Sequence, residues 1–214
     1  KENLITSIQI AGLRKNGKPV ITEVGLYFEY KLYRANRTTK INAEHFQAFA
    51  SMNYPPLAES GVYLSVDYKS LWKSGRKQFP KLHTGFNDEV LILKMFPGIT
   101  ESSVEYVLSK PGLKGIVLET YGSGNAPNEG WFLDLLKDKI RKGLSVVNVT
   151  QCAGGSVVMG NYETSVGLKK VGVTSGKDIT TEAAISKLMY LLDKDLSPKV
   201  FKTIFETSLR GEMS

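Results

Sequence analysis

Cysteine is nearly absent. The 214 residues hold one, Cys152, so no internal disulfide can form. That fits a reducing compartment. Histidine is almost as scarce, with only His45 and His83. Both are distant from Cys152 in sequence, which argues against a Cys–His nucleophile and against a zinc site. Neither a metal nor another cofactor is expected. No apolar run approaches the ~20 residues needed to span a bilayer. The longest candidates, Val90–Leu93 and Leu188–Leu192, meet a charge within a few residues. No short period repeats, which excludes collagen-like and low-complexity chains. Acidic residues are outnumbered, 21 against 28 basic, for a net charge of +7. A basic balance can signal a nucleic-acid partner. Here the basic residues are spread. The densest stretch, Lys69 to Lys81, interleaves Lys73, Arg76 and Lys77 with Trp72 and Phe79, and reads as a solvated connection. No nucleic-acid or membrane partner is expected.

What is present is ordinary. Hydrophobic residues make 42% and charged residues 23%, the composition of a globular chain with room for one large domain or two small ones. Residues 1–68 form a first region. It opens with Leu4, Ile5, Ile8 and Ala11 at helical spacing, ending at Gly12. A strand follows over Glu23–Tyr30, with Val24, Leu26 and Phe28 on one face. After it come a loop from Arg34 to Lys40, a turn at Tyr54-Pro55-Pro56 and a short strand over Gly61–Val66. A helix leading into a strand suggests half of a βαβ unit whose first strand is missing, so the chain, which begins Lys1-Glu2-Asn3, is expected to be part of a longer protein. Residues 69–87 read as a linker.

Residues 88–214 alternate between strand and helix. Strands are expected over Val90–Phe96, Gly115–Tyr121 and Ser145–Val149. Between them, Thr100 caps a helix carrying Val104, Val107 and Leu108, and Trp131–Arg141 is a helix with Phe132, Leu136 and Ile140 on one face. Two further helices follow, one carrying Ala184, Leu188 and Leu192, the other opening at Ser197-Pro198. Asp178 is expected to favour the start of the first of these. The β-α-β-α-β order predicts an α/β fold with a parallel sheet flanked by helices.

In such sheets ligands bind beyond the carboxyl ends of the strands. That selects Gly122–Asn128 and Thr150–Gly155, both rich in small residues and side-chain amides. A dinucleotide reading of the first loop fails, because Pro127 stands where a third glycine should. The Asn125 side chain is the candidate contact in that loop; a tight turn with structural glycines is the alternative. The other candidate is Lys40, preceded by Thr38-Thr39. A lysine held away from water can act as a base, although a loop lysine is far more often simply solvated.

Together these loops resemble those of cytoplasmic, type I L-asparaginases. The likeness rests on Asn36-Arg37-Thr38-Thr39-Lys40, Phe49-Ala50-Ser51, Pro55-Pro56-Leu57, Tyr121-Gly122-Ser123-Gly124-Asn125-Ala126-Pro127, Val147-Asn148-Val149-Thr150-Gln151-Cys152, Asp178-Ile179-Thr180-Thr181-Glu182-Ala183 and Leu209-Arg210-Gly211-Glu212. In order, these cover essentially the whole chain. The resemblance implies the remainder of a large N-terminal α/β domain followed by a smaller C-terminal one, hydrolysis of L-asparagine to L-aspartate and ammonia, and a homodimer or homotetramer. It implies a threonine nucleophile and a Thr-Asp pair that are not found in this chain, which alone is therefore expected to be inactive. Of that machinery Lys40 carries over, as the lysine of the Thr-Asp-Lys relay. Asn125 and Tyr162 stand where the family reaches into a neighbouring subunit's site. Type I enzymes can also bind asparagine at an effector site, matched here by Thr150, Gln151 and Cys152. Where some bacterial members present an arginine to the effector carboxylate, this chain has Glu119, whose charge has the wrong sign. Lys114 is the cation considered as a substitute. The alternative reading is a non-catalytic module of the same fold that senses an amino acid or mediates dimerisation.

Overall fold

The segment Gly115-Ile116-Val117-Leu118 is buried on both sides, as the central strand of a parallel sheet covered by helices must be. The computed structural model describes residues 2–73, 81–127, 129–160 and 163–214. It divides into two compact units, residues 1–82 and 83–214.

In chain order the first unit contains α1 (Glu2–Gly12), β1 (Arg14–Lys15), β2 (Lys18–Pro19), β3 (Gly25–Phe28), β4 (Lys31–Arg34), β5 (Thr39–Lys40), β6 (Phe49–Ala50), β7 (Ala58–Ser60) and β8 (Leu64–Val66). Its larger sheet has the order β3-β4-β7-β8, with every pair antiparallel. Two short hairpins, β1-β2 and β5-β6, complete it. Helix α1 leads, through the β1-β2 hairpin, into β3, which lies at the edge of the larger sheet. The strand expected over Glu23–Tyr30 stops at Phe28. Glu29 and Tyr30 both adopt the left-handed backbone, with φ of 46° and 66°, and reverse the chain so that Phe28 pairs with Lys31. Neither residue type announces such a turn, which usually calls for Gly or Asn. Val24, expected to share a face with Leu26 and Phe28, lies just before β3 and is exposed. The apolar core here is small: Ile10, Leu32, Leu57 and Ala58.

The second unit contains β9 (Val90–Lys94), α2 (Glu101–Leu108), β10 (Gly115–Thr120), α3 (Gly130–Arg141), β11 (Ser145–Thr150), α4 (Glu163–Val171), β12 (Thr174–Ser175), α5 (Thr181–Leu192) and α6 (Pro198–Phe205). The sheet has the order β12-β11-β10-β9 and is parallel throughout. This is the α/β architecture expected from the sequence. Side chains alternate across each strand. Ile116, Leu118 and Val146 meet Val104, Phe132, Leu136 and Leu168 of α2–α4. Val117, Val147 and Val149 meet Ala184, Leu188, Phe201 and Phe205 of α5 and α6. Thr100 caps α2 by accepting from the Ser103 amide, and Thr180 caps α5 by accepting from that of Ala183. Asp178, just before α5, also accepts from the Ser214 backbone N–H and hydroxyl, both at 2.8 Å. The short elements α4 and β12 lie outside the pattern expected from the sequence. No helix among the described residues is long and apolar enough to cross a membrane.

Candidate functional site

The loop after β10 is held from beneath by two buried polar side chains. Thr120 and Asn148 lie side by side on the α2–α3 face and are fully buried. The Thr120 hydroxyl donates to Asn148 Oδ1 at 2.7 Å, and Asn148 Nδ2 donates to the Gly124 carbonyl at 3.2 Å. From the edge of β11, the Thr150 hydroxyl donates to the Gly122 carbonyl at 2.6 Å. Tyr121 and Asn125 exchange both backbone hydrogen bonds at 2.8 Å. Gly124 has φ of 107°, and a Cβ there would stand 2.7 Å from Val157 Cγ1, so glycine is required on two counts. The result is a rigid loop presenting the half-buried Asn125. The supporting role of Asn148 is not evident from its motif alone. Its signal is one amide inside an otherwise apolar strand, Ser145-Val146-Val147-Asn148-Val149-Thr150.

The structure joins the four effector-site residues in two pairs, Gln151 with Glu119 and Cys152 with Thr150, while the side chains of Glu119 and Thr150 lie on opposite faces of the sheet. Glu119 pairs in register with Val149, and Thr120 with Thr150. Glu119 therefore points to the α5 face and Thr150 to the opposite one. The Glu119 carboxylate accepts from the Thr181 hydroxyl at 2.7 Å and lies 3.7 Å from Lys94 Nζ. The cation facing Glu119 is thus Lys94, directly across the strands. Lys114 precedes β10 at its amino end, where its backbone N–H donates to the Glu89 carbonyl. Gln151 uses its side-chain nitrogen on the carbonyls of Met95 and Glu119, at 2.5 and 2.9 Å, and so ties together the ends of β9 and β10. Cys152 is exposed, and its N–H donates to Thr150 Oγ1 at 3.1 Å.

In the first unit Lys40 is exposed on β5, paired with Phe49. The segment leading to it is firmly anchored. A 3-10 turn, Ala35–Arg37, is flanked and closed by two buried arginines, Arg34 and Arg37. Arg34 forms a buried ion pair with Glu23 and donates to the Ser70 carbonyl at 2.9 Å. Glu23 also accepts from the Trp72 amide at 2.6 Å. The Tyr54 ring lies 4.3 Å from Arg34 and 5.2 Å from Arg37. Burial alone would pull the Arg34 proton off more readily, but Glu23 and Tyr54 outweigh it and hold the guanidinium above its usual range. Thr38 closes the turn, its hydroxyl donating to the Arg34 carbonyl at 2.7 Å. This clamp escapes sequence reasoning because its members are scattered from residue 23 to residue 72.

Tyr162 lies outside the described residues. The segment Leu209–Glu212 is a lock. Glu212 accepts from the amides of Leu209 and Arg210, at 3.0 and 2.6 Å, and from buried Lys187 at 2.5 Å. Among the described residues no group of three His, Cys, Asp or Glu could hold a metal ion.

Comparison with known proteins places this geometry. A family model described as the glutaminase/asparaginase C-terminal domain matches residues 89–205, and one described as asparaginase, N-terminal, matches residues 1–72. The chain is 39% identical to L-asparaginase 1 of Escherichia coli K12, over 91% of this chain and 57% of that protein. It is also 39% identical to the 60 kDa lysophospholipase of Mus musculus, over 100% of this chain and 37% of that protein. Its fold matches the crystal structure of L-asparaginase I from Vibrio cholerae with a TM-score of 0.84 and 38% identity, over 91% of this chain and 58% of that one. The chain thus spans between about a third and just over half the length of these relatives.

Proposed function

Because the chain belongs to the glutaminase/asparaginase family, we propose that it is part of a type I L-asparaginase, an amidohydrolase that converts L-asparagine to L-aspartate and ammonia. The observation that carries this reading is 39% identity to a type I enzyme over 91% of the chain, in the same fold. In this reading residues 1–68 are the C-terminal part of the catalytic domain, 69–87 a connection and 88–214 the C-terminal domain. The enzyme acts in the cytoplasm as a homodimer or homotetramer. The nucleophile is a threonine outside this chain, so the 214 residues alone are inactive.

Lys40 supplies the amine of a Thr-Asp-Lys relay. It helps the relay hydroxyl shed its proton as the substrate amide is attacked, and takes no covalent part. The Glu23–Arg34 clamp supports this role, since it fixes the backbone that leads to Lys40 and leaves the amine itself unpaired with that clamp. Asn125, with Tyr162, contacts substrate bound at the neighbouring subunit. The rigid loop supports that assignment, because an amide acting across an interface must be held in place. Thr150, Gln151 and Cys152 form a candidate effector loop. With Glu119 facing α5 and tied to Thr181, asparagine kinetics are expected to be hyperbolic.

The test uses the complete enzyme. Lys40→Met keeps the stem and removes the amine; turnover should fall at least ~100-fold with folding intact. Activity within a few-fold of the parent would overturn the assignment. Mixed oligomers of Lys40→Met and Asn125→Ala subunits should regain activity above either parent. A complete enzyme that binds asparagine without releasing ammonia would favour the non-catalytic sensing module instead. Release of fatty acid from a lysophospholipid should be assayed in parallel, in view of the mouse relative's name.

A further inference from the structure

Three successive carbonyls of the loop after β10 are each held by a different donor. Gly122 accepts from the Thr150 hydroxyl at 2.6 Å, Ser123 from the Val158 amide at 3.0 Å and Gly124 from Asn148 Nδ2 at 3.2 Å. The third donor is unlike the others. Asn148, and Thr120 behind it, are fully buried. They stand on the sheet face whose other side chains, Ile116, Leu118 and Val146, belong to the apolar core. The fold needs no polar pair there. Replacing both partners of a buried hydrogen bond by apolar groups of the same shape can leave stability nearly unchanged. What an apolar pair could not do is donate to the Gly124 carbonyl, one residue before Asn125.

We propose that Thr120 and Asn148 are positioning residues for the reaction. Thr120 pins the Asn148 amide, and Asn148, through the Gly124 carbonyl, sets where Asn125 meets substrate bound at the neighbouring subunit. The inference rests on the reading of Asn125 given above and adds two residues that touch no substrate. The direction of the chain follows from donor chemistry. A carbonyl only accepts, so the amide must turn Nδ2 to Gly124. Its Oδ1 then faces Thr120, whose hydroxyl donates to it at 2.7 Å. With the Tyr121–Asn125 bridge closing the loop, the place of Asn125 is set by a buried network and not by the loop alone. A displacement of about 1 Å at a positioned group can cost as much as ~100-fold in rate, so a small slackening is enough to be seen.

The test uses the complete enzyme and the double variant Thr120→Val/Asn148→Leu, in which neither partner of the buried pair is stranded. It should melt closer to the parent than Asn148→Leu alone does. Its kcat/KM for asparagine should nonetheless fall at least ~10-fold. Val117→Ala thins the core on the other face of the sheet; it should lower the melting temperature and leave kcat/KM in place. Thr120→Ser keeps the hydroxyl and should recover most of what Thr120→Val loses. Because the misplaced Asn125 serves the neighbour, double-variant subunits mixed with Lys40→Met subunits should regain activity. Mixed with Asn125→Ala subunits they should regain none. Unchanged kcat/KM in the double variant, or recovery of activity with Asn125→Ala, overturns the proposal. A parent enzyme that releases no ammonia overturns the asparaginase reading instead. The proposal is then decided by calorimetric binding of asparagine, which the double variant must weaken by the same factor. Equal binding by the two, or none by the parent, overturns it too.

Discussion

The two units of this chain solve the folding problem differently. Residues 83–214 bury a parallel sheet on both faces, with Phe132 and Leu136 on one side and Leu188 and Phe205 on the other. Among the described residues of the first unit, the buried apolar side chains are Ile10, Leu32, Ala48, Leu57 and Ala58. That unit instead encloses an ion pair and two arginines against Tyr54. A fully buried large apolar side chain contributes about 1.5–3 kcal/mol, whereas a buried ion pair does little better than break even against its desolvation. The second unit should be stable by itself. The first has a smaller apolar core and uses its buried polar groups to fix one shape.

The largest expected effect tests that contrast directly. Phe132→Ala should cost about 3–5 kcal/mol and Leu57→Ala about 2–5 kcal/mol. If the units are energetically separate, calorimetry should show two transitions, with Phe132→Ala lowering only the more stable and Leu57→Ala only the less stable. One transition shifted by both substitutions would break the comparison.

A buried ion pair lies in each unit, Arg34–Glu23 in the first and Lys187–Glu212 in the second. Glu23→Ala strands a buried guanidinium and should cost about 3 kcal/mol in the first unit. The second pair makes a prediction about pH. Burial by itself would raise the Glu212 pKa, but Lys187 and the amides of Leu209 and Arg210 outweigh it and hold the carboxyl below its ordinary range. Burial lowers the Lys187 pKa in spite of Glu212. Below the unfolded carboxyl pKa the unfolded chain binds the proton first, so the contribution of Glu212 is complete above roughly pH 4.5 and lost as pH falls through its depressed folded value. The melting temperature of the second unit should drop across that acid range. Glu212→Gln should lower stability at neutral pH and flatten the acid limb; an unchanged acid limb would show that other carboxylates govern it.

A smaller effect belongs to the buried amide of the second unit. Asn148→Leu removes the donor to the Gly124 carbonyl and should cost about 1–3 kcal/mol. Thr120 keeps a bond to the Val149 carbonyl at 3.3 Å. Hydrogen exchange at Asn125 should quicken by more than at Val117. Equal acceleration at both would mean that Asn148 supports the sheet rather than the loop.

What could be read in the sequence divides along the same line. In the second unit the apolar runs of β9–β11, the caps and the Gly-Pro stops all agree with the fold, so local signals sufficed. What local signals leave open there is the choice of polar partners. The side chains of Glu119 and Thr150 lie on opposite faces of the sheet, and Asp178 also holds Ser214, neither of which a local pattern shows. In the first unit the direction of the chain depended on Glu29 and Tyr30 adopting an uncommon backbone, which their residue types do not signal. The clamp around Arg34 joins residues 23, 34, 54, 70 and 72, and no local window contains it.

The smallest prediction concerns those local signals themselves. Two helices of the second unit begin in the same residue class but differ in detail. Thr100 accepts from the Ser103 amide at 3.3 Å, so Thr100→Ala leaves an unsatisfied donor at the start of α2 and should cost about 1 kcal/mol. Ser197 occupies the equivalent place before α6 but makes no side-chain capping bond. The following Pro198 needs no N–H partner and already has its backbone set for the helix. Ser197→Ala should therefore change stability by less than about 0.5 kcal/mol. Denaturant melts of both variants, read at the transition of the second unit, decide the matter. Equal costs would mean that capping hydroxyls there act through the unfolded chain and not through the bond seen at Thr100, and the self-sufficiency of this unit would then rest on its apolar core alone.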